Sequence, residues 1–600
     1  MSSPRASFFL VALASFVGAL SGCASAPVRP AEIARDDYAY TKQYLSWLIE
    51  QEMSKHDITG LSIALVDDQH VVWAQGFGFA DKERNIAATA ESVYRVASIS
   101  KLFTATAAMQ LAEQGQIDID RPLATYLPGC SIKTRFPDAG PITPRTILTH
   151  HSGLPSMRLK GSRAHDPISF SALAPELADE YVAYPPNLLF AYSNLGMTLL
   201  GDVVGKVSGL GFTAYVEKAL LKPLEMTQSR FSTSAEAPLL ARPYKGGKLS
   251  EEVPIRDLPA GGLLSTVLDL SRLIQMVFAD GRSGGHQLIT EETLAEMFRP
   301  QNADVPLDLD FRIGLAWFLT PMGLANAGPV VSHGGDTPNY HSQLIALPRH
   351  KLGVVVLSNS ASSAETVTRV ATEALRLALE TKTGLRQPPV DAQSAEETSP
   401  PPEVRRALVG HYATQAGLIT ITDDSGHLRA SVGGETARLV YSPNGQFKLK
   451  FSRWGLFPVE RGGLFKGAFS RANISGREVL LRVKNGETHV VGEKVAPSPL
   501  PPSFQRALGT YEPVNLGDDE KPHFRTIRIE RRDGLLTADL AARSIDDALR
   551  FVLLPVSDGE AIIAGLGRGL GETIHFAQDG DEVSLFYSGL EFKKKSPPPQ

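Results

Sequence analysis

Eight residues near position 400 recur near position 500. Pro401-Pro402-Glu403-Val404-Arg405-Arg406-Ala407-Leu408 is matched, 100 residues on, by Pro501-Pro502-Ser503-Phe504-Gln505-Arg506-Ala507-Leu508. Each copy continues through a glycine and a tyrosine, Gly410 and Tyr412 in one, Gly509 and Tyr511 in the other. Alternating runs follow, Leu418-Ile419-Thr420-Ile421-Thr422 and Ile527-Arg528-Ile529-Glu530, leading into turns at Gly426 and Gly534. Period-two alternation punctuated by turn residues predicts strands. A period this long is a domain duplication, because solenoid repeats are far shorter. At about 95 residues, each copy suffices to close a small antiparallel β-barrel.

Two breaks in composition bound these units. Residues 387–403 are rich in Pro, Ser, Glu and Ala without apolar periodicity, and read as a solvated linker. Residues 496–504 form a second, stiffer one. The repeats then occupy 404–495 and 505–595, and the tail from Lys593 to Gln600 is expected to fray. The segment before them, about 30–386, mixes types. Leu61-Ser62-Ile63-Ala64-Leu65-Val66, a polar turn at Asp67-Asp68, and Val71-Val72-Trp73-Ala74 predict a β-hairpin. A second is predicted from Ser342 to Leu357, turning at Pro348-Arg349-His350. Helices are predicted from Leu102 to Gln114 and from Glu365 to Leu379. Strands at both ends with helices between them indicate an α+β domain, one antiparallel sheet packed against a helical region.

The chain opens on an export pattern. Arg5 gives a basic start, and a short apolar run from Phe8 to Leu20 leads into Leu20-Ser21-Gly22-Cys23. The run is too short to span a bilayer and suits a signal segment. Leu-Ser-Gly-Cys resembles a bacterial lipobox. The resemblance implies that residues 1–23 form the signal and lipobox, with cleavage before Cys23 and acylation of its thiol. The protein would then sit on the periplasmic face of a membrane, and Ala24 favours the outer one. That leaves Cys130, expected to be a semi-buried structural thiol in a turn, and no intrachain disulfide. With 43 % apolar and 21 % charged residues, stability can come from packed cores. A net charge of −5 and the lack of a long basic run argue against a nucleic-acid partner.

Ser98-Ile99-Ser100-Lys101 opens the predicted Leu102 helix. Residues three apart share a helix face, so the Lys101 amine can reach the Ser98 hydroxyl. A serine hydroxyl is a weak nucleophile until a base takes its proton, and lysine is a base only when its pKa is depressed. Free N–H groups at a helix start suit a developing oxyanion. Ser98 is also a good helix N-cap, the structural alternative.

The surroundings resemble the penicillin-recognising serine enzymes: class C β-lactamases, D-alanyl-D-alanine carboxypeptidases, D-aminopeptidases and family VIII esterases. Tyr94-Arg95-Val96-Ala97-Ser98-Ile99-Ser100-Lys101 looks like their nucleophile segment. Thr149-His150-His151-Ser152-Gly153-Leu154, Tyr192-Ser193-Asn194 and Pro259-Ala260-Gly261-Gly262-Leu263-Leu264-Ser265-Thr266 follow in the family's order. The resemblance implies that Tyr192, as phenolate or hydrogen-bonded phenol, relays a proton between Ser98, Lys101 and the leaving group. Asn194 would orient Lys101 and the substrate carbonyl through its amide. His150 and His151 are expected to be structural.

Where β-lactamases carry Lys-Thr-Gly, this chain offers His333-Gly334-Gly335, similar to the His-x-Gly variant of the esterases and D-aminopeptidases. His333 would place a charge or a donor near Tyr192 and titrate near neutrality. Gly334 and Gly335 would line the substrate site, and the backbone N–H groups of Ser98 and Asp336 would bind the oxyanion. Lys382-Thr383-Gly384 is rejected as that motif, because it ends a predicted helix with Gly384 as C-cap. Gly565-Leu566-Gly567-Arg568-Gly569-Leu570-Gly571 lacks dinucleotide-loop spacing and a βαβ context, and reads as a turn.

These residues imply hydrolysis through a Ser98 acyl-enzyme, with no metal or organic cofactor. Substrates would be small amides or esters, including D-amino-acid peptides. Peptidase or amidase and esterase activities rank level, ahead of β-lactamase or D-alanyl-D-alanine carboxypeptidase. A non-catalytic ligand-binding or sensor lipoprotein is the alternative of a different class. The repeats, similar to lipocalin-like domains of D-aminopeptidase relatives, would then do the binding; in the enzyme they would gate the site.

Overall fold

The computed structural model describes residues 25–234, 239–388, 397–453, 457–459, 466–484, 487–518, 520–542, 548–580 and 582–595. The signal run and Cys23 lie outside them. Both predicted hairpins form. Gly60–Asp67 pairs antiparallel with His70–Asp81, and Asp68 makes the turn at φ 50°. His341–Leu347 pairs with Leu352–Ser358 through the helical turn Pro348–His350. The hairpins then join edge to edge, Leu352–Ser358 against Gly60–Asp67. Among the described residues the sheet has six strands, with Val331–Asp336 on one outer edge and Ile86–Ala87 on the other.

Leu352–Ser358 is buried at every residue. Continuous burial means that both sheet faces are covered. One face carries the helices Ala39–Lys55 and Ala364–Thr383, whose Leu45, Ile49, Val370 and Leu375 pack on Ile63, Leu65 and Val354. The other face carries the helical region, with Ser100–Glu113 at its centre, buried from Ser100 to Leu111. Ala364–Thr383 ends at Gly384 with φ 73°, and Lys382 pairs with Asp67, so Lys-Thr-Gly is a helix terminus as expected.

The C-terminal repeats are two closed eight-stranded antiparallel barrels. The first runs from Gly410–Thr414 to Glu487–Val495, closes where Glu435–Tyr441 pairs with Phe447–Arg453, and carries Phe457–Val459 as an added strand. The second runs from Gly509–Pro513 to Leu590–Lys594. The shared signature is the short helix ahead of each, Pro402–Leu408 and Pro502–Gln505. It straddles the expected linker boundaries at 403/404 and 504/505. In each copy a buried tyrosine reaches back one turn: Tyr412 Oη donates to Leu408 O (2.9 Å) and Tyr511 Oη to Ala507 O (2.7 Å). A lysine of the last strand does the same: Lys494 Nζ donates to Ala407 O (3.1 Å) and Lys594 Nζ to Arg506 O (2.9 Å). Lys593 and Lys594, expected to fray, instead pair with Glu512 and Tyr511 to close the barrel, and residues 596–600 of the expected tail lie outside the described residues. The first linker also starts later than its composition implies: Gln387 is buried and hydrogen-bonds both ways with the Ala325 backbone.

The second barrel shares an apolar core with the helical region. Leu159, Ala183, Tyr184 and Leu189 pack with Phe504, Leu566 and Leu570. Polar contacts border it: Ser156 N donates to Glu572 Oε1 (2.8 Å), Leu159 N to Ser588 Oγ (2.9 Å), and Arg135 pairs with Glu560 (2.9 Å). Cys130 is half-buried against the first core, as expected of a structural thiol. Among the described residues no single helix is long and apolar enough to cross a membrane.

Candidate active site

The nucleophile segment is a tight turn held from both sides. After the short strand Tyr94–Arg95 the chain turns through Ala97 at φ 46°, a left-handed conformation that costs a non-glycine residue about 1 kcal/mol. Ser98 lies in the 3₁₀ turn Ala97–Ile99, and the α-helix begins at Ser100. Ser98 is therefore not the N-cap. Ser100 ties the turn down, its Oγ donating to Ala97 O (2.6 Å) and accepting from Leu263 N (2.9 Å). The Ser98 hydroxyl is left to Lys101 and Tyr192.

Lys101 is fully buried one turn on, with Nζ 3.1 Å from Ser98 Oγ. Its second hydrogen-bond partner is the carbonyl of Ala260, at 2.6 Å. Burial pushes its pKa well below the usual lysine value, and the Arg568 guanidinium adds to the effect against a small opposing pull from Asp257. A neutral amine can donate to Ala260 while its lone pair faces the Ser98 proton. The Tyr192 ring sits beside it, its centroid 4.9 Å from Nζ. Burial raises the Tyr192 hydroxyl to about 12, against the hydrogen bond with Ser98 and the charge of Arg568, which both lower it. Of the two forms left open by the sequence, the phenol is the one present at neutral pH.

Asn194 begins the helix Asn194–Ser208, capped by Ser193, whose Oγ accepts from Gly196 N (2.9 Å). Its Oδ1 is buried without a partner. Among the described residues Lys101 bonds to Ser98 and Ala260, not to Asn194, so the expected orienting contact is replaced by a backbone carbonyl.

His333 lies on the edge strand Val331–Asp336, with its ring edge-on to Phe318 at 5.1 Å. Its Nδ1–H donates to Gly334 O (2.6 Å), and Nε2 is buried without a partner. Burial lowers its pKa to about 3. The expectation of a charge titrating near neutrality is overturned: His333 is a neutral ring. Gly335 has a packing role. A Cβ there would lie 2.1 Å from Val96 O and 3.0 Å from Ser98 N, so only glycine lets the strand lie against the nucleophile turn. Gly334 is half-buried beside it, and a Cβ there would meet Gln343 Oε1 at 3.2 Å. Ser332 exchanges both backbone hydrogen bonds with Phe318, on the side away from the sheet. Backbone groups alternate along a strand, so Asp336 N–H faces that same outer side. The Asp336 carboxylate pairs with His341 (2.5 Å).

The two adjacent histidines part company. His151 is structural, engaging Thr149 O and Asp308 Oδ2 at 2.7 Å each. His150 stacks on Tyr192, centroids 4.1 Å apart, and accepts from Ser193 N through Nδ1 (3.2 Å). It holds the tyrosine in place, a role the sequence reading missed.

The largest omission is Arg568. Its guanidinium carbon lies 5.1 Å from the Tyr192 ring centroid. It tops the loop read from sequence as a turn, which joins strands Glu560–Ile563 and Thr573–Asp579 of the second barrel. Gly565, Gly567, Gly569 and Gly571 all have positive φ, between 72° and 114°. Leu566 and Leu570 are buried, and Arg568 stays exposed at the tip. Strict alternation of glycine with leucine and one arginine was the available signal. Among the described residues no cluster of His, Cys, Asp or Glu could hold a metal ion.

Residues 45–379 match the beta-lactamase family profile. Penicillin-binding protein 4* of Bacillus subtilis (strain 168) is 24 % identical over 72 % of this chain and 92 % of its own length. Protein flp of Staphylococcus aureus (strain NCTC 8325 / PS 47) is 24 % identical over 53 % of this chain, which spans only 63 % of that relative. The solved structure of SurE shares the fold, with TM-score 0.56 at 21 % identity over 76 % of this chain and 99 % of that one. The profile covers more than half of the 600 residues, and the chain belongs to the beta-lactamase family.

Proposed function

We propose that this protein hydrolyses small esters or amides, D-amino-acid derivatives among them, through an acyl-enzyme on Ser98. The observation that carries the reading is a fully buried Lys101 whose Nζ lies 3.1 Å from the Ser98 hydroxyl, with burial pushing its pKa well below the usual lysine value. Lys101 Nζ takes the Ser98 proton as Oγ bonds to the substrate carbonyl carbon. The N–H groups of Ser98 and Asp336 receive the oxyanion, the kind of fixed donor pair that contributes most to acyl transfer. As the intermediate collapses, the bond to the leaving nitrogen or oxygen breaks. Tyr192 passes its hydroxyl proton to that atom and regains one from Lys101. Water then repeats the sequence on the acyl-enzyme, releasing the acid and restoring Ser98. Asn194, with its unpartnered Oδ1, is suited to an N–H of the bound substrate.

Antibiotic hydrolysis ranks behind these activities, because His333 is neutral where β-lactamases keep a lysine. A SurE structure was determined with D-Leu, which makes D-aminoacyl amides a sensible first panel. Labelling with a fluorophosphonate and with a tagged penicillin, in wild type and Ser98→Ala, tests the nucleophile; equal labelling of both would refute it. Turnover of 4-nitrophenyl esters, D-amino-acid nitroanilides and a chromogenic cephalosporin ranks the substrates. Acylation without release would favour a ligand sensor instead. Export and a lipid anchor at Cys23 belong to the same proposal, supported by the Leu-Ser-Gly-Cys run. Incorporation of a tagged fatty acid that survives Cys23→Ser would exclude that anchor.

A further inference from the structure

We propose that Arg568 is the anion-recognition residue of this site, selecting substrates whose leaving group carries a carboxylate. The inference rests on the hydrolase reading and deepens it. Its first ground is position. Arg568 and Lys101 lie 5.1 and 4.9 Å from the ring of the same tyrosine. In the mechanism above Tyr192 protonates the leaving group, so a cation beside Tyr192 stands on the leaving-group side of the scissile bond.

The second ground is that Arg568 is uncommitted. Neighbouring arginines at this interface are paired: Arg135 with Glu560, Arg158 with Glu180, Arg256 with Asp257. Among the described residues Arg568 has no carboxylate partner, and its only recorded ring contact is Tyr192. The acids nearby are already engaged, Asp257 by Arg256 and Asp336 by His341. Lys101 and His333 are both buried and already hydrogen-bonded, Lys101 to Ser98 and Ala260 and His333 to Gly334, whereas Arg568 is exposed.

The third ground is how firmly the loop is set. Tyr184 Oη donates to Gly565 O (2.9 Å) and accepts from Gly567 N (3.2 Å). A Cβ on Gly571 would lie 2.7 Å from Ala183 O and from the Tyr184 ring, so the loop lies flush against the helical region. A planar guanidinium with pre-set direction is the group best matched to a carboxylate, which it can bind through two parallel hydrogen bonds. Fixing the loop in advance removes part of the ordering cost of binding.

The test uses two esters with the same acyl group, 3-acetoxybenzoate and its neutral analogue 3-acetoxybenzamide. The unaltered protein should prefer the anionic ester in kcat/KM by about 10- to 100-fold, chiefly through KM, with the preference shrinking as salt is raised. Arg568→Ala should collapse the ratio to near one, Arg568→Lys should keep part of it, and Arg568→Glu should reverse it. No preference in the unaltered protein, or an equal loss for both esters in Arg568→Ala, overturns the assignment and leaves Ser98 hydrolysis standing. If neither ester is turned over and Ser98 fails to label, the hydrolase reading falls and takes this one with it.

Discussion

The Tyr184 hydroxyl of the beta-lactamase-like domain donates to the Gly565 carbonyl of the second barrel at 2.9 Å, so the loop bearing Arg568 is pinned by a residue of the domain it covers. That contact is the place to test the gating expected of the repeats. Tyr184→Phe deletes this bond and leaves Gly567 N–H short of a partner, costing about 1–3 kcal/mol of stability. It should raise kcat/KM for bulky esters relative to acetate esters, read from a homologous acyl series. An unchanged size profile would separate the loop from access.

Lys101→Met removes the base and keeps the volume. Acylation, followed by single-turnover kinetics, should slow by about 10³-fold or more, because the groups of such a unit do not substitute for one another. Stability should move the other way. The unfolded chain holds a proton at Lys101 up to its ordinary value of 10.5, and the folded protein, with that pKa depressed by burial, releases it at lower pH. The unfolded state therefore holds more protons through that window, and stability rises with pH across it. Lys101→Met should melt higher at pH 7 and show a flatter dependence of Tm between pH 7 and 10.

His333 supplies a pH signature by its silence. With a folded pKa of about 3 against 6.5, it is neutral throughout the working range. The kcat/KM profile between pH 5 and 8 should be superimposable for wild type and His333→Asn once scaled. The stability contribution has a definite sign: it is intact above about 6.5 and is lost as pH falls toward 3, where the unfolded chain takes up the proton first. Acid melts of the two proteins should diverge below pH 6.5, with the variant falling less steeply.

Gly335→Ala should be among the most damaging single changes outside the reacting groups. Its Cβ would meet the Val96 carbonyl at 2.1 Å, a backbone contact that no rotamer relieves. Displacing the edge strand from the nucleophile turn should cost about 3 kcal/mol or more and abolish Ser98 labelling. Gly334→Ala, whose Cβ meets only the end of Gln343 at 3.2 Å, should fold normally and is the control.

The parts legible in sequence are those that local rules decide. Period-two runs around Asp67-Asp68 and Pro348-Arg349-His350 predicted both hairpins of the sheet, and the repeated Pro-Pro signature predicted two barrels. Spacing alone put Lys101 beside Ser98. What escaped depends on long-range placement. The Ala260 contact is a backbone carbonyl, which no residue type advertises. The neutrality of His333 comes from burial beside Phe318 and Lys101, fixed only when edge strand and helix meet. Arg568 reaches Tyr192 across a gap of several hundred residues, and its loop looked like any glycine-rich turn until the leucines were seen buried in a shared core.

That shared core also imposes an order of assembly. Chains are made from the N-terminus, and domains tend to fold as they emerge. The sheet, Ser98 and Lys101 are complete well before the strands that carry Arg568 and close the last barrel at Lys594. A chain cut short by a ribosome stall or a protease would possess a nucleophile but lack the cation above it. Synthesis through the second barrel is thus a condition for the finished pocket, because Arg568 reaches Tyr192 from that barrel.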